Sequence, residues 1–323
     1  MMMKNTFISL SLILITLLGK AQEFEKIMLD FEDTANLYVN DGDATSLFYL
    51  QLVPASQPIG ALVILPSGGE TVKDLLKQIE LPALAYQSNV LTIIPSINWG
   101  TETRMEEINM LNNIFQDICK AYGVPTENFV LGGLSNGGMI SIGYAEASQK
   151  NPESTFLTPK GVFGLDVPLD KRHLYNYCVR EIERSFSQAG MNEARWLLNN
   201  FHTTYGGSPE EFPEEYIEAS LYSYGEENGG NAQYLKNIPI RMYTDLDVDW
   251  LVNQRRRDLY DWNGTDIVAM INDLKLMGNP NANVLVSMGK GVRLDGRKHP
   301  HSWSIMDNED CMSWTLGLFG AKE

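Results

Sequence analysis

Apolar residues in this chain fall into short unbroken runs, separated by stretches in which they recur every three or four positions. The runs are IGALVILP (59–66), VLTIIP (90–95), FVLGGL (129–134), GVFGLD (161–166), IPIRMYT (238–244) and NVLVSM (283–288). A strand with one wet face alternates; a run without alternation is covered on both faces. The pattern predicts a mostly parallel sheet with helices on both sides, an α/β fold. SLFYLQLVP (46–54) does alternate, which predicts an antiparallel strand, paired with a strand near KIMLDF.

Helical spacing fills the intervals. TVKDLLKQIELPALAYQ carries it but is broken or kinked at Pro82. In ETRMEEINMLNNIFQDICKAYG, the residues Met105, Ile108, Leu111, Phe115 and Ile118 make one stripe, and Gly123 ends it. Residues 167–237 differ: they hold no strong strand, one helical stretch (REIERSFSQAGMNEARWLLNNF) and the loop-forming runs TYGGSPEEFPEEY and YGEENGGN. They read as a helical insertion in a core made of 22–166 and 238–323. No internal repeat or linker divides the chain.

Composition narrows the partners. With 323 residues, 44% of them hydrophobic, the chain can bury a large core. A net charge of −16 opposes non-specific attraction to nucleic acid or anionic lipid. The opening segment, residues 1–21, places Lys4 before a short apolar run that ends in Gly19 and Ala21. This is the pattern of a signal peptide cleaved between Ala21 and Gln22, and it predicts an exported, periplasmic or extracellular protein with no stable membrane insertion afterwards. Only Cys119, Cys178 and Cys311 are present, enough for at most one internal bridge. Their spacing matches no metal or redox motif, and no cofactor or metal is expected.

The candidate chemistry begins at LGGLSNGGMI (131–140), where Gly133, Ser135 and Gly137 fit G-x-S-x-G between a strand and a helix rich in small residues. Such a turn projects the serine hydroxyl above the sheet edge and sets the Asn136 N–H at a helix start. Here the sequence resembles the α/β-hydrolase fold, in its esterase, lipase, feruloyl-esterase and polyester-depolymerase branches, through motifs spread over residues 59–303. The resemblance implies a second oxyanion donor in LVILPSGGE, at Gly68 or Gly69, although Pro66 and Ser67 replace the common His-Gly start of that loop.

It also implies an acid and a histidine in the order Ser, Asp, His. Asp247 occupies the frame in which many relatives carry the acid. Asp249 and Asp245 are fallbacks, and Asp166 is a further candidate because some members take the acid from the preceding strand. His301, in HSW, resembles the family's base, with His299 as the alternative. Each aspartate near 247 could instead cap a helix beginning near Trp250.

In the resembling enzymes, a helical insertion after the sixth strand often forms a lid, and 167–237 is placed for that role. Its aromatic residues, Tyr175, Tyr177, Trp196, Phe201, Tyr205, Tyr222 and Tyr224, could line a substrate site or form their own core. Trp99 and Trp303 follow strand ends and are expected near the substrate. Lys290, Arg293, Arg297 and Lys298 form a basic loop before the histidines, whereas the arginines of NQRRRDLYDW are expected on the outer face of a helix. The function these features predict is an exported serine hydrolase acting on a small-molecule or polysaccharide-linked carboxylic ester through an acyl-enzyme. A peptidase on the same fold and a non-catalytic binding protein are the alternatives.

Overall fold

Eight strands form one sheet in the order β1-β2-β4-β3-β5-β6-β7-β8. The computed structural model describes residues 23–30, 37 and 47–321; the predicted signal segment and its cleavage site lie outside them. The strands are β1 (Glu25–Met28), β2 (Phe48–Leu52), β3 (Gly60–Leu65), β4 (Val90–Pro95), β5 (Phe129–Leu134), β6 (Gly161–Leu165), β7 (Ile240–Asp245) and β8 (Ala282–Ser287). β2 runs antiparallel to both β1 and β4, and every pairing from β4 to β8 is parallel.

The helices follow from the crossovers that parallel pairing requires. α1 (Val72–Leu75) and α2 (Leu81–Gln87) join β3 to β4, with Pro82 in the first turn of α2, where its missing N–H costs nothing. α3 (Met105–Tyr122) joins β4 to β5, and α4 (Asn136–Lys150) leads towards β6. α5 (Lys171–Arg184), α6 (Gln188–Tyr205) and α7 (Pro213–Ala219) lie between β6 and β7. α8 (Val248–Trp250) and α9 (Asn263–Leu276) precede β8, and α10 (Asn308–Leu318) follows it.

β3, β4, β5 and β6 are buried at every position. Successive residues point to opposite faces. Thus Val63, Ile93 and Leu131 meet Ile114, Ile140 and Met270 on one face, while Leu62, Ile94 and Val130 meet Leu81, Ala85 and Met312 on the other. The predicted α3 stripe is buried except at Met105, which is half exposed in the first turn. Cys119, Cys178 and Cys311 are all free thiols.

The segment between β6 and β7 is fastened to the core by polar contacts. Thr101 donates to Asn200 at 2.8 Å, Tyr205 to Glu102 at 3.1 Å, and His173 Nδ1 lies 2.8 Å from Asp266. Phe201, Tyr205 and Tyr216 pack on one another inside the segment. Lys171, 1% exposed, donates to the Thr101 carbonyl and lies 3.0 Å from the Met139 sulfur.

Burial lowers the Lys171 ammonium from 10.5 to about 8. The folded chain therefore releases that proton before the unfolded chain does, and between these values the unfolded state holds more protons. The contribution of Lys171 to stability should rise through that window, by about 3 kcal/mol. Urea unfolding across the window should show the wild type gaining about that much relative to Lys171→Met, a difference in which the buried thiols and phenols that oppose the rise cancel.

Candidate active site

Ser135 directly follows β5 with φ 54° and ψ −116°, a conformation that non-glycine residues rarely adopt. The turn is over-determined by its surroundings. The Ser135 N–H donates to Leu165 O on the neighbouring strand at 2.9 Å. A β-carbon added at Gly133 would come 2.5 Å from Leu65 O, and one at Gly137 2.1 Å from the same atom. Glycine is therefore required at both positions of the motif, because the turn packs on the backbone of β3.

His301 Nδ1 lies 2.6 Å from Asp166 Oδ2. Asp166 is fully buried at the end of β6, also with positive φ (42°), and its N–H donates to Tyr243 O. Burial raises its carboxyl pKa, and the bond from His301 opposes that rise. The carboxylate that the structure brings to His301 is thus Asp166, the alternative candidate one strand earlier, and not Asp247. Asp247 instead caps α8, accepting from Trp250 N at 2.9 Å. Asp245 is held by Ser287 Oγ and the N–H groups of Lys290 and Gly291, and Asp249 is an exposed residue of α8.

His299 is placed differently from His301. Its Nδ1 accepts the His301 N–H at 3.1 Å, so in the neutral ring the proton sits on Nε2. Burial, reinforced by Arg293, His301, Arg255 and Arg257, pushes its pKa down to about 2. It is a neutral donor and a brace for the His301 backbone.

The loop after β3 comes up to the start of α4: a β-carbon at Gly68 would lie 3.7 Å from Asn136 Cβ. Gly69, expected as a possible oxyanion donor, spends its N–H on Asn98 O at 2.7 Å. Among the described residues, the N–H groups of Gly68 and Asn136 have no protein acceptor, and both residues line one cleft with Ser135 and His301. Glu70, which sequence reasoning passed over, organises this loop. It accepts from Ser67 N at 3.0 Å, Gln78 Nε2 at 2.6 Å and Trp303 Nε1 at 3.0 Å. Trp303, expected near the substrate, is 1% exposed and ties the histidine loop to the Gly68 loop.

No protein-family model and no curated protein matches the sequence, but solved structures do. An S-formylglutathione hydrolase from Agrobacterium tumefaciens superposes with a TM-score of 0.54 at 10% identity, over 92% of this chain and 95% of that one. A lipase in its open form gives 0.54 at 11% identity, over 92% and 99%. An acylaminoacyl peptidase from Pyrococcus horikoshii gives 0.51 at 14% identity, over 93% of this chain and 41% of that one. The chain has the α/β-hydrolase fold.

The cleft of this hydrolase fold encloses about 550 Å³. Trp99 lines it and packs on Trp196 of α6 with ring centroids 4.8 Å apart. Of the insertion's aromatic residues singled out in the sequence, only Tyr177 and Trp196 reach the cleft. From the basic loop, Arg293 lines it, whereas Arg297 pairs with Asp295 in solvent. Arg255 and Arg257, expected on an outer helix face, also line it. The reason is local: Leu251–Arg255 forms a π-helical turn, and Arg256 turns left-handed (φ 50°), ending the helix whose outer face they were expected to occupy. Nothing in the residue spacing announces such a turn.

Gly137→Ala should lower the urea midpoint by an amount equivalent to about 3 kcal/mol, because the new methyl meets fixed backbone. Gly69→Ala meets open space, so only its left-handed φ of 71° is strained and the cost should be about 1 kcal/mol.

Proposed function

We propose that the protein is a serine hydrolase of carboxylic esters in which Ser135 is the nucleophile, His301 the base and Asp166 the group that orients it. The observation that carries this reading is the 2.6 Å contact between a fully buried carboxylate and His301 Nδ1 in the cleft that Ser135 lines. With Nδ1–H held by Asp166, the imidazole presents Nε2 as the proton acceptor.

His301 takes the Ser135 proton as Oγ attacks the ester carbonyl. The oxyanion that forms is met by the N–H groups of Gly68 and Asn136. His301 then donates the proton to the departing alcohol, leaving an acyl-enzyme. A water, deprotonated by the same imidazole, releases the acid. Asp166 stabilises the imidazolium in both halves, and its depth keeps that interaction unscreened. The cleft volume suits a small ester, or the ester-bearing end of a polysaccharide. Export after cleavage at Ala21, with the mature chain beginning at Gln22, is part of the same reading and rests on the N-terminal sequence alone.

A fluorophosphonate probe should label the wild type and not Ser135→Ala. Turnover of 4-nitrophenyl esters should fall by about 10⁶ in Ser135→Ala and by about 10⁴ in Asp166→Asn. Asp247→Asn should retain kcat within a few-fold. The converse result for the two aspartates would remove Asp166 from the mechanism, and an unlabelled wild type would remove the hydrolase reading.

A further inference from the structure

The acidity of the chain is reversed at the cleft. Against a net charge of −16, the wall around His299 carries Arg255, Arg257 and Arg293. Arg257 is consumed internally: it is buried, donates to Tyr177 Oη, lies 3.3 Å from Glu181 and stacks on the Tyr177 ring at 4.0 Å. Arg255 and Arg293 are not. Among the described residues, neither has a carboxylate within 4.0 Å. Arg255 donates to Ser187 Oγ and rests over the Trp250 ring at 5.2 Å, contacts that orient a guanidinium without neutralising it.

The cleft's own carboxylates do not cancel this pair. Asp261 is taken by Arg180 and Arg184. Glu193 is a single charge on the opposing helix α6, outside ion-pair distance of either arginine, and it offsets part of their field. Two like charges lining one cleft repel each other unless an anion enters between them. A planar guanidinium pairs with a carboxylate through two parallel hydrogen bonds.

We infer that Arg255 and Arg293 form an anion subsite and that the ester cleaved at Ser135 carries a carboxylate. The inference rests on the serine-hydrolase reading for its location. The aromatic walls of Trp99, Trp196 and Trp250 suit a flat or sugar-like body between the reacting ester and the anion.

Two matched pairs of substrates test it on the full mature chain. 4-Acetoxybenzoate against 4-acetoxybenzamide places the charge on the alcohol, and the 4-nitrophenyl monoester of glutarate against 4-nitrophenyl pentanoate places it on the acyl group. In at least one pair, kcat/KM should favour the anion by about 10- to 100-fold at low salt. That ratio should collapse towards unity in the Arg255→Gln/Arg293→Gln double variant, checked for folding by thermal unfolding, and persist in Arg297→Gln. Turnover of neutral esters without preference in either pair, or a preference that survives the double variant, overturns the subsite and leaves the hydrolase standing. If no ester is turned over and Ser135 is not labelled, calorimetric binding of 4-hydroxybenzoate decides the subsite separately. Binding lost in the double variant supports it, and no binding to the wild type overturns it.

Discussion

The site hangs on one buried contact, the 2.6 Å bond between Asp166 at the end of β6 and His301 in the loop after β8. A carboxylate with no exposure is costly unless something holds its charge, and here the imidazole does so on Oδ2 at 2.6 Å. The contact joins the middle of the sheet to a segment that follows its last strand. Trp303, two residues beyond His301, extends the connection to Glu70 and so to the loop that carries Gly68. The loops that carry His301 and Gly68 are therefore positioned by one connected set of contacts.

The two turns at the heart of the site repeat one device. Ser135 and Asp166 follow adjacent parallel strands, both have positive φ, and each donates its N–H to the next strand along, to Leu165 O and Tyr243 O. The ladder thus runs one residue past each strand end before the backbone reverses. Strain of this kind persists only where packing fixes it, and the glycine contacts with Leu65 O show how little freedom remains. Because Asp166, on the strand beside the one that Ser135 follows, is the carboxylate against His301, the segment after β7 makes no contact of that kind. It forms instead a capped turn and a π-helical turn that bring arginines to the cleft.

Charge has two scales in this molecule. The surface total is strongly negative, which sets long-range behaviour and is screened over about 8 Å at physiological salt. At the cleft, Arg255, Arg257 and Arg293 act at short range, and they add to the effect of burial in holding His299 neutral. A sum over the sequence cannot report a local reversal of this sort.

Much was legible without coordinates because it is written in local patterns. Unbroken apolar runs at 60–65, 90–95 and 129–134 specify strands covered on both faces, and G-x-S-x-G specifies a turn that only glycine can flank. The residues of the elbow and the Gly68 loop lie next to strands that announce themselves, whereas His301, well past β8, could be named only through the resemblance of HSW to the family's base. What the tertiary structure alone decided was pairing across long separations. Asp166 and Asp247 each stand just past a strand, so spacing could not choose between them; the choice is made by which carboxylate sits beneath His301, 135 residues away in sequence from Asp166. Trp303 was likewise misplaced, since its ring turns inward to Glu70, and Arg255 and Arg257 depend on a π-helical turn that no periodicity encodes. The sequence by itself determined the sheet, the elbow and the order of its parts. Only the folded chain determined which carboxylate meets His301 and what charge lines the cleft, because those depend on where distant segments converge.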